Sequence, residues 1–122
     1  MIRQFVLSAT FLSLAGCVSA PKTLYQWGSF QEQTYLMYSA PGKVQPQDQI
    51  LKLESEIEKA KGSGAAVPPG LYAHLGLLLM NEGNLVRAGE YLELERQTYP
   101  ESQVLMNRLL GKLKPNTAGV TK

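Results

Sequence analysis

The segment from residue 70 to residue 81 restricts the fold more than any other part of the chain. It lacks Asp, Glu, Lys and Arg, and its large apolar residues are Leu71, Tyr72, Leu75, Leu77, Leu78, Leu79 and Met80. A helix that is apolar nearly all round has to be covered on most of its sides. The segment therefore predicts a central helix, with Pro68 and Pro69 before it and the turn Glu82-Gly83-Asn84 after it.

Four more segments are predicted to form helices, over residues 29–39, 47–61, 85–98 and 101–113. For the first, a strand over residues 34–38 is the alternative. The apolar residues expected to face the core recur at spacings of three, four or seven: Ile50, Leu53, Ile57, Ala60, then Leu85, Ala88, Leu92, Tyr99, then Leu105, Leu109, Leu113. The charged residues expected to face water are Glu54, Glu56, Glu58, Arg87, Glu93 and Arg96.

The stretch from Pro69 to Ser102 resembles one tetratricopeptide repeat. The residues at the signature places are Tyr72, Leu75, Gly76, Leu79, Gly83, Ala88, Leu92 and Pro100. Gly76 and Ala88 are small, so the two helices of the hairpin can approach closely. Glu95 stands where the repeat usually has alanine, which could weaken or tilt the packing of the next helix. We expect an all-α fold, a short stack of about five helices with one tetratricopeptide-like hairpin.

The first seventeen residues have the layout of a secretory signal. Arg3 is positive, residues 5–14 are mostly apolar and uncharged, and Ala15 and Gly16 are small. The sequence Leu14-Ala15-Gly16-Cys17 resembles the lipobox of bacterial lipoproteins, which implies cleavage before Cys17 and acylation of that residue. Several acyl chains on one residue anchor a protein stably. An ordinary signal peptide with a chance cysteine is the alternative.

The predicted organisation follows from this anchor. Residues 1–16 are the signal peptide, 17–23 the acylated cysteine and a short tether, 24–113 the helical domain and 114–122 a flexible tail. The residue after the cysteine is Val18, whereas aspartate there retains such lipoproteins at the inner membrane. The resemblance thus implies an outer-membrane protein, lipid-anchored at the periplasmic face. The tether is short, so the domain is expected to stay close to the membrane surface.

Charge and the rare residue types exclude several classes of function. The 12 basic and 10 acidic residues form no basic stripe, so we expect no nucleic-acid partner. Cys17 is the only cysteine and His74 the only histidine, so neither a Cys/His dyad nor a zinc site is expected. We interpret His74 as a packing residue. No metal, no cofactor and no enzymatic activity are predicted.

Two groups of residues are candidates for binding a partner. Aromatic residues cluster near the anchor, and they form either core or an exposed docking patch: Tyr25, Trp27, Phe30, Tyr35 and Tyr38. Of these, Tyr25 and Trp27 are the binding candidates. On the hairpin, Tyr72, Asn81 and Glu82 are expected to line a surface that contacts a partner.

The order of several short motifs resembles a family of small proteobacterial lipoproteins of unknown function. The motifs are Tyr25, Trp27-Gly28, Pro41-Gly42-Lys43, Gln49-Ile50, Leu53-Glu54, Val67-Pro68-Pro69-Gly70-Leu71, His74-Leu75-Gly76, Gly83-Asn84 and Tyr99-Pro100-Glu101-Ser102. Genes of that family commonly lie beside genes for a curli-secretion-channel-like lipoprotein and another small lipoprotein. The resemblance implies an accessory role in the envelope and transfers no catalytic residue.

We therefore expect an accessory lipoprotein that binds protein partners in the bacterial envelope, as part of a lipoprotein complex linked to secretion or surface assembly. Its partners would be the membrane, through Cys17, and other envelope proteins, including the channel-like lipoprotein. A structural lipoprotein that binds peptidoglycan is the alternative. An enzyme acting on the cell wall is a third hypothesis, for which the sequence offers no nucleophile or acid pair.

Replacement of Cys17 by alanine tests the anchor. We expect the Cys17→Ala protein to leave the membrane fraction and to lack the acyl mass of the wild type, because the only thiol is gone. Cell fractionation and intact-mass spectrometry measure both effects. The neighbouring Val18→Ala variant is the control and should remain acylated. A Cys17→Ala protein that still carries the acyl mass would contradict acylation of this residue.

Overall fold

Five α-helices follow one another along residues 22–114, the part of the chain that the computed structural model describes. They are α1 (Phe30–Ser39), α2 (Pro46–Ser63), α3 (Leu71–Asn81), α4 (Leu85–Thr98) and α5 (Gln103–Leu113), with a 3₁₀ turn at Pro100–Ser102. The prediction of an all-α fold of about five helices is confirmed, and the strand alternative for residues 34–38 is wrong. The predicted signal peptide, residues 17–21 and residues 115–122 lie outside the described part.

Helix α2 begins one residue before the predicted range 47–61 and ends two residues after it. Pro46 occupies the first turn, where a missing N–H costs nothing. Gly64 follows the helix with φ 69°, a left-handed conformation that glycine adopts readily. The four residues of the expected inner face are all buried: Ile50, Leu53, Ile57 and Ala60. This face packs against α3.

Helix α3 is the centre of the domain. Its buried residues are Leu71, Tyr72, His74, Leu75, Gly76, Leu78 and Leu79. Both α2 and α4 pack against it, and the prediction of a central helix is confirmed. Although α3 is the most apolar helix, it has only 11 residues. Within residues 22–114, no helix combines the length and the apolar character needed to cross a bilayer.

Helices α3 and α4 form an antiparallel hairpin with a close contact at Gly76. A Cβ atom on Gly76 would lie 2.7 Å from Cδ2 of Leu92 and 3.3 Å from the carbonyl oxygen of Ala88. Ala88 and Leu92 are fully buried, so the Leu92 side chain has no solvent to move into. The small residues Gly76 and Ala88 therefore permit the close approach that the sequence predicts.

Glu95 departs from the repeat pattern and caps the central helix. Its side chain is buried, and its carboxylate accepts hydrogen bonds from the backbone N–H groups of Gly70 (2.8 Å) and Ala73 (3.3 Å). Burial raises the pKa of Glu95, and these two donors oppose the rise. The carboxylate satisfies free N–H groups at the start of α3, where Gly70 has no side chain to do so. Helix α5 still packs against α4.

Two residues that were expected to face the core lie at the surface. Leu85 is exposed because it occupies the first turn of α4, beside the open loop. Leu105 is also exposed, and the buried residue of α5 is Met106 instead. Residues 100–102 form a 3₁₀ turn, which winds more tightly than an α-helix and shifts the register of α5. Leu113 packs against the core as predicted.

The aromatic residues near the start of the domain divide between core and surface. Phe30 is buried, whereas Tyr35 and Tyr38 are exposed on the outer side of α1. Trp27 is 39% exposed, and Tyr25 is half-buried where its backbone forms an isolated parallel bridge. Phe30 is therefore core, and docking by the exposed members of the cluster stays a prediction.

Replacement of Gly76 by alanine tests the close contact in the hairpin. Alanine favours a helix over glycine by up to about 1 kcal/mol, but forcing a methyl group into packed space costs about 1–3 kcal/mol. Because Leu92 cannot move away, we expect the free energy of unfolding of Gly76→Ala to fall by about 1 kcal/mol. Urea unfolding followed by circular dichroism measures it.

Gly89→Ala is the matched control on α4. A Cβ at Gly89 would meet Cδ1 of Leu113 at 3.5 Å, an ordinary van der Waals distance. This variant should gain about 0.5–1 kcal/mol from helix propensity. Equal stabilisation of both variants would show that Gly76 is not in a close contact.

Candidate functional site

An open groove lies between α2 and α4, above the start of α3. Its volume is about 730 Å³. We call it the α2–α4 groove, and it is lined by Leu51, Glu54, Ser55, Ile57, Glu58, Lys61, Tyr72, Arg87, Glu90, Tyr91 and Leu94. It exists because α2 and α4 both pack on α3, which leaves a channel between them.

Aromatic and aliphatic side chains form the floor and the edges of the groove. Tyr72 and Ile57 are buried beneath it. The Tyr72 ring stacks on the Tyr91 ring, with centroids 6.2 Å apart and planes 21° apart. At the edges, Leu51 is 66% exposed and Leu94 is 42% exposed. Leucine side chains that remain this accessible beside an aromatic floor give the groove an apolar contact surface.

A polar network crosses the groove from α2 to α4. The Glu54 carboxylate on α2 accepts a hydrogen bond from the Tyr91 hydroxyl at 2.8 Å and pairs with the Arg87 guanidinium, both on α4. Burial raises the pKa of Tyr91 to about 12, and its hydrogen bond to the Glu54 carboxylate acts in the same direction. The phenol therefore stays protonated and donates to Glu54 at physiological pH. The prediction that Glu54 faces water is therefore wrong, whereas Arg87, with 43% of its side chain exposed, does point outward.

Three more charged residues line the groove. Glu58 and Lys61 form an exposed pair on the last turns of α2, with an N–O distance of 2.9 Å. Glu90 is exposed on α4, and it takes part in none of the ion pairs formed within residues 22–114. The groove thus holds paired charges and one carboxylate available to a partner.

The groove continues towards the loop between α3 and α4. A second depression of about 440 Å³ shares Leu51, Glu54 and Arg87 with it and extends to Glu82. Glu82 accepts a hydrogen bond there from the side chain of Gln47. Tyr72 and Glu82, two of the predicted surface residues, therefore line adjacent depressions that share three residues.

The other predicted binding residues lie elsewhere. Asn81 lines a separate small depression of about 150 Å³ beside the α1–α2 loop. Tyr25 and Trp27 lie before α1, where their rings meet edge to face at 5.9 Å. Tyr72 is more buried than a surface-lining residue was expected to be, and only part of it is accessible from the groove. The binding roles of these residues stay predictions.

Glu56 is a buried acid that the sequence assigned to the solvated face. Its carboxylate lies behind the turn at Gly28 and accepts hydrogen bonds from the Ser29 hydroxyl and the Lys59 ammonium, each at 3.2 Å. The alternating positions of Glu54, Glu56 and Glu58 do point to different sides of α2, as predicted. One of these sides is not in contact with solvent, because residues 27–29 cover it.

His74 packs in the core and takes part in no cluster of metal-binding residues. Its ring meets Phe30 edge to face at 5.9 Å, and its Nε2 atom is buried without a hydrogen-bond partner among the described residues. Within residues 22–114, no group of three or more His, Cys, Asp or Glu side chains converges on a point that a metal ion could occupy.

Acidification tests the environment of His74. Burial lowers the pKa of His74 because it disfavours the charged imidazolium. The unfolded chain then binds a proton at His74 more readily than the folded chain does. The contribution of His74 to the free energy of unfolding therefore falls as the pH drops from about 6.5 towards the lower pKa of the folded protein. Urea unfolding of the wild type and of His74→Phe, from about pH 7.5 to about pH 5.5, measures this difference.

We expect the wild type to lose stability relative to His74→Phe as the pH falls over this range. Glu95, whose raised pKa acts in the opposite direction, is present in both proteins and cancels in the comparison. Parallel pH curves for the two proteins would contradict a buried neutral histidine.

A comparison with known protein families identifies one match. The model of a domain of unknown function, DUF4810, matches residues 24–109, which include all of α1 to α4 and most of α5. No curated protein sequence and no solved structure matches the chain. Because the family model covers well over half of the 122 residues, the chain belongs to the DUF4810 family.

Proposed function

We propose that this protein is an accessory lipoprotein of the bacterial envelope that binds another envelope protein through the α2–α4 groove. The observation that carries the proposal is the groove itself. Two exposed leucines, Leu51 and Leu94, stand beside an aromatic floor and a fixed polar network. Apolar and aromatic contact surfaces of this kind are typical of protein-binding sites.

The polar network supports a binding role because it holds the walls of the groove in place. Glu54, Arg87 and Tyr91 satisfy one another, so a partner does not have to order them when it binds. Preorganised sites lose less conformational entropy on association and bind more tightly for the same area. The network leaves Glu90 free to attract a basic side chain of a partner.

The resemblance to a tetratricopeptide hairpin supports the same function, because such repeats bind peptide segments or partner proteins on helical surfaces. The partner we propose is a chain segment with apolar side chains for Leu51 and Leu94 and a basic residue for Glu90. The family resemblance makes a curli-secretion-channel-like lipoprotein the first candidate, in a complex for secretion or surface assembly. The valine after Cys17 favours the outer membrane, and we propose that the complex lies at its periplasmic face.

Site-specific photocrosslinking in living cells tests this function. A photoreactive amino acid replaces Leu51 or Leu94 in the acylated protein. A third variant carries it at Val104 of α5, which is 68% exposed and does not line the groove. We expect positions 51 and 94 to capture the same envelope protein and position 104 to capture none. The capture should be lost when Cys17 is replaced by alanine.

Introducing positive charges at the apolar edges of the groove gives a second measurement. The double variant Leu51→Arg and Leu94→Arg should lower the yield of the complex at least about tenfold, equivalent to about 1.4 kcal/mol. Val104→Arg is the matched control and should leave it unchanged. Because all three positions lie at the surface, thermal unfolding should be nearly the same in each variant.

Two results would overturn the proposal. Capture of peptidoglycan fragments alone from positions 51 and 94 would favour a structural lipoprotein that binds the cell wall. Capture of a partner from position 104 and not from the groove would place the interface on α5.

A further inference from the structure

The segment before α1 holds a partly exposed tryptophan in a fixed position. Trp27 stacks on Phe30 with ring centroids 6.4 Å apart and planes 9° apart, and its other neighbour is the edge of Tyr25. The backbone around Tyr25 is fixed by two hydrogen bonds with Ala66, at 2.9 and 3.1 Å. The indole is therefore presented on a rigid base, although 39% of the residue remains exposed.

The turn behind Trp27 is held by a buried carboxylate. Gly28 has φ +45°, and a Cβ atom at this position would overlap the carboxylate of Glu56. Ser29 donates its hydroxyl hydrogen bond to the same carboxylate. Any side chain at position 28 would displace Glu56, so the turn fixes where Trp27 lies.

The exposed surface of this segment is apolar and basic. Leu24 is 70% exposed, and no acidic residue occurs from Lys22 to Ser29. Lys22 is exposed, and Lys59 lies beside the turn through its contact with Glu56. The Glu56 carboxylate behind the turn is buried and paired. Tryptophan, exposed leucine and lysine together are the residues found where a protein meets a lipid bilayer.

The length of the chain towards the anchor brings this segment to a membrane. Only five peptide units separate Cys17 from Lys22, so their α-carbons are at most about 18 Å apart. This step rests on the proposed acylation of Cys17. With that lipid in the bilayer, a segment that begins at Lys22 cannot leave the neighbourhood of the headgroups.

We propose that the segment from Lys22 to Trp27 is a membrane-contact site, in which Leu24 and Trp27 enter the headgroup region of the bilayer and Lys22 and Lys59 face anionic lipid. The contact fixes the orientation of the domain on the membrane. The start of α3 is then the membrane-proximal end, because Phe30 lies against Gly70 and Tyr25 pairs with Ala66. The loop after α3, with Val86 beyond it, lies about 16 Å away at the other end of the helix.

Fluorescence of the acylated full-length protein tests this site, because Trp27 is the only tryptophan in the chain. The protein is reconstituted into vesicles of phosphatidylethanolamine and phosphatidylglycerol. A fraction of the lipid carries bromine, either near the headgroup end or near the methyl end of the acyl chains. Flotation first establishes that the protein is bound to the vesicles.

We expect lipid brominated near the headgroup to quench about half of the Trp27 emission or more, and lipid brominated at the chain ends to quench less, since interfacial aromatics lie at headgroup depth. Leu24→Asp should reduce the quenching, because it places a charge in the contact. Val86→Asp is the matched control, since Val86 is equally exposed at the far end of α3, and its quenching should equal that of the wild type.

A variant in which the tryptophan is moved to position 86 completes the experiment. In the double variant Trp27→Phe and Val86→Trp, the new tryptophan should not be quenched. If the wild-type protein floats with the vesicles and Trp27 is not quenched, the membrane-contact site is overturned while the anchor stands. If the wild type does not float, the anchor fails, and the inference fails with it.

Discussion

An uncharged central helix imposes the arrangement of this domain. Helix α3 carries no charged side chain, and leucines on most of its sides have to be removed from water. Helices α2 and α4 supply that cover. The contact of Gly76 with Ala88 and Leu92 sets the distance of α4, and the Glu95 carboxylate satisfies the N–H groups at the start of α3. Helix α3 is thus buried without leaving its first turn unpaired.

The packing of α2 and α4 on α3 also creates the groove. Two helices that lie against the flanks of a third leave a channel along it, and here the channel keeps an aromatic floor and two accessible leucines. The network of Glu54, Arg87 and Tyr91 links the two walls across this channel. Fold and candidate site are therefore connected, since the helices that bury α3 also carry the surface proposed to bind a partner.

Periodicity and end signals were sufficient to predict the helices. Pro46 and Gly64 mark the ends of α2, and the uncharged run predicted that α3 is central. The register of α5 could not be predicted, because it depends on the 3₁₀ turn after Tyr99. Leu85 was wrongly placed inside because spacing identifies a face of a helix and not whether a neighbour covers its first turn.

The candidate site was harder to predict than the fold, for a physical reason. Glu54 and Glu56 were assigned to water, whereas each of them finds a partner that is distant in sequence. One signal was present: Arg87 and Tyr91 are four residues apart and so share a face of α4. Their partner on α2 becomes apparent only once α2 and α4 lie side by side on α3.

Hydrogen–deuterium exchange of the acylated protein in native outer membranes tests the proposed binding through the groove most directly. The reference is the same purified protein in vesicles of lipid alone. We expect slower exchange in the native membranes at residues 51–58 of α2 and 87–94 of α4, with no change over residues 103–113 of α5. Equal exchange of the two groove segments in both preparations would contradict this binding, since no envelope partner would then occupy the groove.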